Sequence, residues 1–521
     1  MHKLDPASLL PFDDGAPPQP PPPSAPTLPW QPPRNGDKVQ ALTDIAKPAD
    51  TGPFDMGSFA TWLRSAGVVD TTTIALPGAT VTLPYGVALV RRFQSILTQI
   101  YEEHGYEEYD YPMLVPAETL EPTRQIMPLE GQLLYAGGDD DWASGRKRMV
   151  LSPTGESAVY THWARTVRSR RDLPIRAYRR ARYFRPARAG RSVFRAIEAL
   201  DVFEFQACFA DHAGATDGFR DAVTMAREVC HALHVPVLWS TRPPWTNNGA
   251  VAEVTVGGDV PLPHGSTIQV GSVYRQGQQF SRIYGVAHRD GREREFTHHV
   301  TGALTRRLVL MHLMLGLDSE GSLLVHPDLA PVQVAITLPD TGHEEEAAAR
   351  RLCAVLRDKG VRCRLHAGID RRTVGRLHAR WQLQGVPLRV YLQPRRRADD
   401  RTRAVIVRAD TREEAVLLPA DVEQLADVLP PALDEVGTGY LRRSRSFVER
   451  QCRRADARTV RDVLAEREVA VAPLEPSEEA VTEVAAWGLG EVLGLRRASE
   501  IAPCVISGRP TDTVAYISPR R

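Results

Sequence analysis

Leu151-Ser152-Pro153-Thr154-Gly155-Glu156, followed by Leu173-Pro174-Ile175-Arg176 and then Phe184-Arg185, is the stretch from which the rest of the chain can be read. Thr154 and Glu156 stand one residue apart, so on an extended segment the hydroxyl and the carboxylate share one face. There they can hold a substrate ammonium or imino group. Arg185 adds a planar fork that grips a carboxylate or phosphate bidentately and stays charged at any working pH.

The whole chain sets wide bounds. At 521 residues it is long enough for two to four domains, each with its own core. Lysine plus arginine number 65 against 64 for aspartate plus glutamate, so the overall charge points to no nucleic-acid or membrane partner, and any such surface must come from local patterning. No run approaches the roughly 20 apolar residues needed to cross a bilayer. The amino terminus lacks a basic segment followed by an apolar core, so a cytoplasmic protein with no membrane partner is expected. The six cysteines, at 208, 230, 353, 363, 452 and 504, form no close CxxC pair, which argues for reduced thiols and against a complete four-cysteine zinc site.

Residues 1 to about 50 carry Pro17-Pro18-Gln19-Pro20-Pro21-Pro22-Pro23 and little that builds a core, and are expected to be extended and largely disordered. Leu83-Pro84-Tyr85-Gly86 opens a helix in which Val90, Phe93, Leu97, Ile100 and Tyr101 recur at helical spacing, ended by Gly105. Tyr106 to Tyr111 reads as a strand closed by Pro112. From about 160 to 195 arginine is dense, including Arg170, Arg171, Arg176, Arg179, Arg180, Arg182, Arg185, Arg188, Arg191 and Arg195. A phosphate-rich ligand or a solvated basic surface accounts equally well for any single one of them, except for Arg185 and Arg195, which fall on motif positions. After Pro331, Val332, Val334, Ile336 and Leu338 alternate as a half-buried strand, and a helix runs from about His343 to Lys359, where Gly360 stops it. Val361, Cys363 and Leu365, then Leu388 to Leu392 and Ala404 to Val407, supply further strands, giving an α/β unit of βαβ pieces.

In order along the chain these motifs resemble class II aminoacyl-tRNA synthetases of the prolyl type, archaeal and eukaryotic branch. The Thr154 and Glu156 stretch is similar to the family's amino-acid pocket, Arg185 to its ATP-clamping arginine, and the long helix with Pro112 to motif 1, the dimer-forming element. Ile268-Gln269-Val270-Gly271-Ser272 and Gly277-Gln278-Gln279-Phe280 resemble the strand and loop over ATP and amino acid. Gly302-Ala303-Leu304-Thr305-Arg306 resembles motif 3, read as starting an apolar helix whose arginine lies against adenine, and the match ends at Leu329-Ala330-Pro331. Trp381-Gln382-Leu383-Gln384-Gly385-Val386-Pro387-Leu388-Arg389 is similar to the prolyl anticodon-binding domain.

The resemblance implies a fold: an α+β class II catalytic domain on an antiparallel sheet, an α/β anticodon-binding domain and a small α+β carboxy-terminal domain. The expected division is a proline-rich tail over 1–55, the catalytic domain over 56–328, the anticodon-binding-like domain over 329–435 and the carboxy-terminal domain over 440–521. In the family that last domain can hold zinc through cysteines. Here Cys504 has Ser507 where its partner would stand and the segment near Ala472-Pro473-Leu474 has none, so no structural metal is expected.

Several family positions differ. Arg185-Pro186-Ala187 lacks the glutamate of Arg-x-Glu, Arg195-Ala196-Ile197-Glu198 lacks the second arginine of Arg-x-Arg-Glu, Gly271-Ser272-Val273-Tyr274 replaces Gly-Thr-Ser-His, and Val300-Thr301-Gly302 replaces Ser-Trp-Gly. The resemblance still implies a proline-tRNA ligase that uses ATP with Mg2+ to form an aminoacyl-adenylate and passes it to tRNA. The alternatives are a paralogue activating another amino acid for a biosynthetic pathway, or a non-catalytic scaffold binding tRNA or protein. Arg185 and Arg306 are the implied catalytic residues. Thr154, Glu156, Arg185 and Tyr274 would bind the amino acid, and Arg185, Arg195, Glu198, Gln269, Ser272, Thr305 and Arg306 would bind ATP. A homodimer is expected, because the apolar helix from Leu89 and the strand before Pro112 would otherwise expose a large apolar surface.

Overall fold

The structure, a computed structural model, describes residues 10–11, 56–74, 78–129, 131–186, 193–194, 198–245, 250–263, 265–290, 293–318, 322–339, 342–393, 403–417 and 421–520. The expected proline-rich tail lies outside the described residues except for Leu10–Pro11, which pairs in parallel with Arg496 and Arg497. No helix among the described residues is long and apolar enough to cross a membrane.

The elements that position the site begin with helix α1 (Pro84–Glu103), whose proline sits in the first turn, where a missing N–H costs nothing. Helix α2 (Glu156–Thr166) follows, then strands β1 (Ile175–Phe184) and β2 (Glu198–Phe209), helix α3 (His212–Ala232), and strands β3 (Leu238–Thr241), β4 (Val254–Pro261), β5 (Thr267–Gly277) and β6 (His298–Thr305). Helix α4 (Arg307–Gly316) closes this part. The second part comprises β7 (Val334–Pro339), α5 (His343–Asp358), β8 (Cys363–Ile369), α6 (Arg371–Leu383), β9 (Leu388–Gln393), β10 (Arg403–Arg408), β11 (Glu414–Leu417) and the long helix α7 (Val422–Gln451). The third has β12 (Val469–Pro473), β13 (Gly490–Pro503) and β14 (Pro510–Pro519).

The main sheet runs in the order Cys452–Arg454, β12, β14, β13, β3, β4, β5, β6, β2, β1, Glu107–Glu108. From β14 to β1 every neighbour is antiparallel. The third part is thus continuous with the first through the pair Thr241 and Leu495. The expected strand from Tyr106 to Tyr111 is ladder only at Glu107–Glu108, which pairs in parallel with Ala177 and Tyr178.

Helix α1 buries Leu89, Val90, Phe93, Leu97 and Tyr101 within the chain itself. Tyr101 meets Tyr178, Phe203 and Phe205 edge-on with ring centroids 5.4 to 6.2 Å apart, an arrangement that aligns ring edge with ring face. The helix's outward side carries Arg91, Gln94, Ser95, Thr98, Gln99 and Glu102, which line an open, polar groove of about 420 Å³ with Glu108 and Arg180. The apolar stripe is therefore covered inside one chain, and the reason first given for a dimer is corrected: no large apolar face is left on this helix.

In the second part β7 lies between β8 and β9, parallel to both, and all six of its residues are buried. The half-buried alternation expected there is corrected, because a parallel strand covered on both faces is buried throughout. The remaining expectations for this part, the helix stopped by Gly360 at φ +79° and the strands near 363, 388 and 404, are met.

Candidate active site

The loop before α2 is tied to the end of β1. Ser152 donates its hydroxyl to the Thr154 carbonyl at 2.7 Å, the Phe184 amide donates to the Ser152 carbonyl at 3.0 Å, and Arg185 Nε donates to the Pro153 carbonyl at 3.1 Å. Gly155 already has right-handed helical angles and Glu156 is the first residue of α2, so the extended geometry expected for Thr154 and Glu156 is corrected. They meet instead across the start of a helix, where the Thr154 hydroxyl donates to the Glu156 carboxylate. A helix start favours a carboxylate, since its unpaired N–H groups face it.

Under this loop lies a buried ionic layer. Arg179 on β1 stands directly opposite Glu204 on β2, and its Nε donates to Glu204 Oε2 at 3.1 Å. The Tyr183 hydroxyl donates to the same carboxylate and accepts from Arg179 Nη2 at 2.6 Å. Arg179 is 1% and Glu204 6% exposed, and Arg179 Nη1 has no hydrogen-bond partner among the described residues. Gly155 is required at the contact, because a Cβ there would lie 1.8 Å from Glu204 Oε2 and 2.7 Å from Arg179 Nη2. Burial, and next the charge of Glu204, push the Glu156 carboxyl above the usual carboxylate range, against the pull of Thr154 and Arg179. Two carboxylates thus lie beside one guanidinium.

Tyr274 is half-buried on β5. Burial pushes its hydroxyl up, a bond with Ser272 opposes this, and the charges of Glu156, Arg242 and Arg185 all reach it. The structure therefore brings Thr154, Glu156, Arg185, Ser272 and Tyr274 together.

Gly302 to Thr305 do not start a helix; they are the end of strand β6, and α4 begins at Arg307. Thr305 donates to the Val270 carbonyl at 3.3 Å. Arg306 caps the helix with its guanidinium turned to Thr82 Oγ1 at 2.8 Å and to the Asp201 carboxylate at 3.5 Å. Arg307 instead donates through Nη1 to the Gln269 carbonyl at 3.0 Å and through Nε to the Phe194 carbonyl at 3.1 Å. The guanidinium beside the Gln269 carbonyl is thus that of Arg307. Arg195, and the side chain of Glu198, lie outside the described residues.

The carboxy-terminal turn is likewise resolved in its donors. Cys504 is buried, its sulfur accepts the Glu475 amide at 3.4 Å, and Ser507 Oγ accepts the Arg509 amide at 3.2 Å. One thiol and a hydroxyl engaged by backbone do not fit a thiolate zinc site.

Arg179 and Glu204 were the residues missed. On β1, Ala177, Arg179, Ala181 and Tyr183 are buried while Arg180 and Arg182 are exposed, so a period of two across Ile175–Phe184 singles out Arg179 as the inward arginine.

Residues 333–429 match the anticodon binding domain family. A proline--tRNA ligase of Pyrobaculum arsenaticum is 30% identical over 338 residues, covering 63% of this chain and 67% of that protein. The proline--tRNA ligase of Pyrococcus horikoshii is 28% identical over 348 residues, covering 64% of this chain and 71% of the relative. In fold, the chain is similar to the prolyl-tRNA synthetase of Giardia lamblia in complex with prolyl-adenylate, with a TM-score of 0.78, 18% identity and coverage of 90% of this chain and 99% of that one. It is equally similar to the Cryptosporidium parvum prolyl-tRNA synthetase complexed with L-proline and AMP, with a TM-score of 0.76, 21% identity and coverage of 90% and 98%.

Proposed function

The chain belongs to the prolyl-tRNA synthetase family, and from that premise we infer that it is an ATP-dependent proline-tRNA ligase. The observation that carries the reading is the pocket's charge balance. Glu156, hydrogen-bonded by Thr154 and raised by burial and then by Glu204, is placed to meet a cation, while Arg185 is docked on the same loop, ready for an anion. A zwitterionic amino acid supplies both.

In the proposed reaction ATP enters as its Mg2+ complex. Glu156 and Thr154 hold the imino group, and Arg185 holds the amino-acid carboxylate against the α-phosphate. A carboxylate oxygen attacks the α-phosphorus, pyrophosphate leaves, and the terminal ribose hydroxyl of tRNA then attacks the acyl carbon with AMP as leaving group. The protein's part is positioning and neutralising charge. Arg307 is assigned the triphosphate side with Gln269, Ser272 and Thr305, supported by its bonds to Gln269 and Phe194; Arg306 is a positioning residue at the helix start. Arg195 and Glu198 remain proposed ATP contacts on the resemblance alone.

The anticodon-binding match over 333–429 supports tRNA as partner and the division into catalytic (56–328), anticodon-binding (329–435) and carboxy-terminal (440–521) units. A cytoplasmic homodimer remains part of the proposal, its contact the polar side of α1 rather than an apolar one. Charging of tRNA with labelled proline tests the reading. Proline-dependent, ATP-dependent acylation is expected, and a chain that charges tRNA with a different amino acid alone contradicts it.

A further inference from the structure

We propose that His234, His326 and Asp328 form a binding site for one divalent transition-metal ion, zinc by ligand chemistry, outside the active site. Among the described residues these are the metal-ligating groups that converge, their ligand atoms all lying within 4.8 Å of one another. His234 Nε2 is 2.8 Å, and His326 Nδ1 3.4 Å, from Asp328 Oδ2. A tetrahedral ion with bonds of about 2.0 to 2.2 Å to imidazole and carboxylate sets its ligand atoms about 3.3 Å apart, so the two spacings to Asp328 lie within about half an ångström of that, and the two imidazole rings must swing apart for both lone pairs to meet one ion.

The framework holds the two imidazoles in place at a cost. His234 follows α3 at φ +55°, the left-handed slot where the His234 amide bonds the His231 carbonyl and the Val235 amide bonds the Cys230 carbonyl. Glycine or asparagine normally fills that slot. His312 joins the two sides, its Nδ1 facing the Leu233 carbonyl at 2.8 Å and its Nε2 accepting the His326 amide at 3.1 Å. The rings of His234 and His326 lie with centroids 3.5 Å apart, tilted by 32°. On α7, Gly437 leaves room for His326, since a Cβ there would lie 2.8 Å from Nε2.

The chemistry of the donors agrees. Two imidazoles and one carboxylate are the nitrogen and oxygen donors that suit zinc. The guanidinium groups nearby, Arg92 and Arg362, donate to the Asp328 carbonyl oxygen at 3.3 and 3.2 Å and not to its carboxylate. The Asp328 amide points a long 3.3 Å bond at His326 Nδ1, which the ion would displace. Asp328 is exposed, so water can take a fourth position. An ion here would brace the end of α3 against the segment that leads into β7.

The test uses the full-length protein stripped with a chelator. Titration with zinc chloride by calorimetry, and with cobalt chloride by visible absorption, is expected to give one ion per chain, with zinc displacing cobalt. His234→Asn, which suits the left-handed backbone, and Asp328→Asn, at an exposed side chain, should each weaken zinc binding at least tenfold and abolish any zinc-induced rise in Tm. Cys504→Ser should leave binding unchanged. Absence of stoichiometric binding, survival of binding in both variants, or its loss in Cys504→Ser alone would each overturn the proposal and leave a hydrogen-bonded His–Asp cluster only.

Discussion

Arg185 Nε donates to the carbonyl of Pro153 at 3.1 Å, so the arginine at the end of β1 and the loop that presents Thr154 and Glu156 are one mechanical unit. The groups proposed to bind substrate cation and substrate anion are thereby set at a fixed distance. Such preorganisation is where positional catalysis gains its advantage. Arg185→Ala is expected to lower kcat/KM for pyrophosphate exchange by about 10² to 10³, the range for one charged donor at a reacting oxyanion. Arg185→Lys should recover little of it, because an ammonium cannot reproduce the fork.

The boundary between β6 and α4 separates two arginines that the sequence makes hard to tell apart. Arg307→Ala should raise the KM for ATP and depress exchange by roughly 2.7 to 4 kcal/mol in transition-state terms, because it faces Gln269 and Phe194. Arg306→Ala should act mainly on stability, through Thr82 and Asp201. Steady-state kinetics of the two variants beside their thermal midpoints distinguishes the roles; equal loss of exchange in both would return Arg306 to the site.

Glu156 makes amino-acid binding pH-dependent with a definite sign. In the proposed pocket its ionised form holds the substrate cation, and burial with Glu204 places its ionisation above the usual carboxylate range. As pH falls through that raised range, kcat/KM for proline should drop while ordinary carboxylates are still ionised. Glu156→Gln should flatten that limb and raise KM by about 1.5 to 3 kcal/mol, the size of a hydrogen bond to a charged group. A persisting acid limb in the variant would assign it elsewhere.

Gly155→Ala would drive a methyl group into the Arg179 and Glu204 pair, a contact neither backbone nor buried carboxylate can relax cheaply. A loss of about 1 to 3 kcal/mol in unfolding free energy is expected, with a raised KM for the amino acid. Wild-type denaturant midpoint and KM in this variant would mean the ionic layer is not seated under the loop.

Much of this was legible beforehand because local periodicity was strong. Helix α1 follows from the recurrence of Val90, Phe93, Leu97 and Tyr101, and its end from Gly105 at φ +76°. What stayed hidden depended on single residues at element boundaries. Gly155 being helical turned the Thr154 and Glu156 geometry, and β6 extending to Thr305 moved the helix start past Arg306. Arg179 was obscured by the arginines around it, and only strand alternation picks it out. The pairing of His234 with His326 and Asp328 spans some ninety residues and has no local signal; it exists only because α3 and the approach to β7 pack together.

The central claim, that this pocket activates proline, is tested most directly by ATP–pyrophosphate exchange measured with each amino acid in turn. Exchange that depends on proline, and falls by about two orders of magnitude in Arg185→Ala, is the expected result. Exchange supported by another amino acid and not by proline, or by none while tRNA still binds, would contradict it.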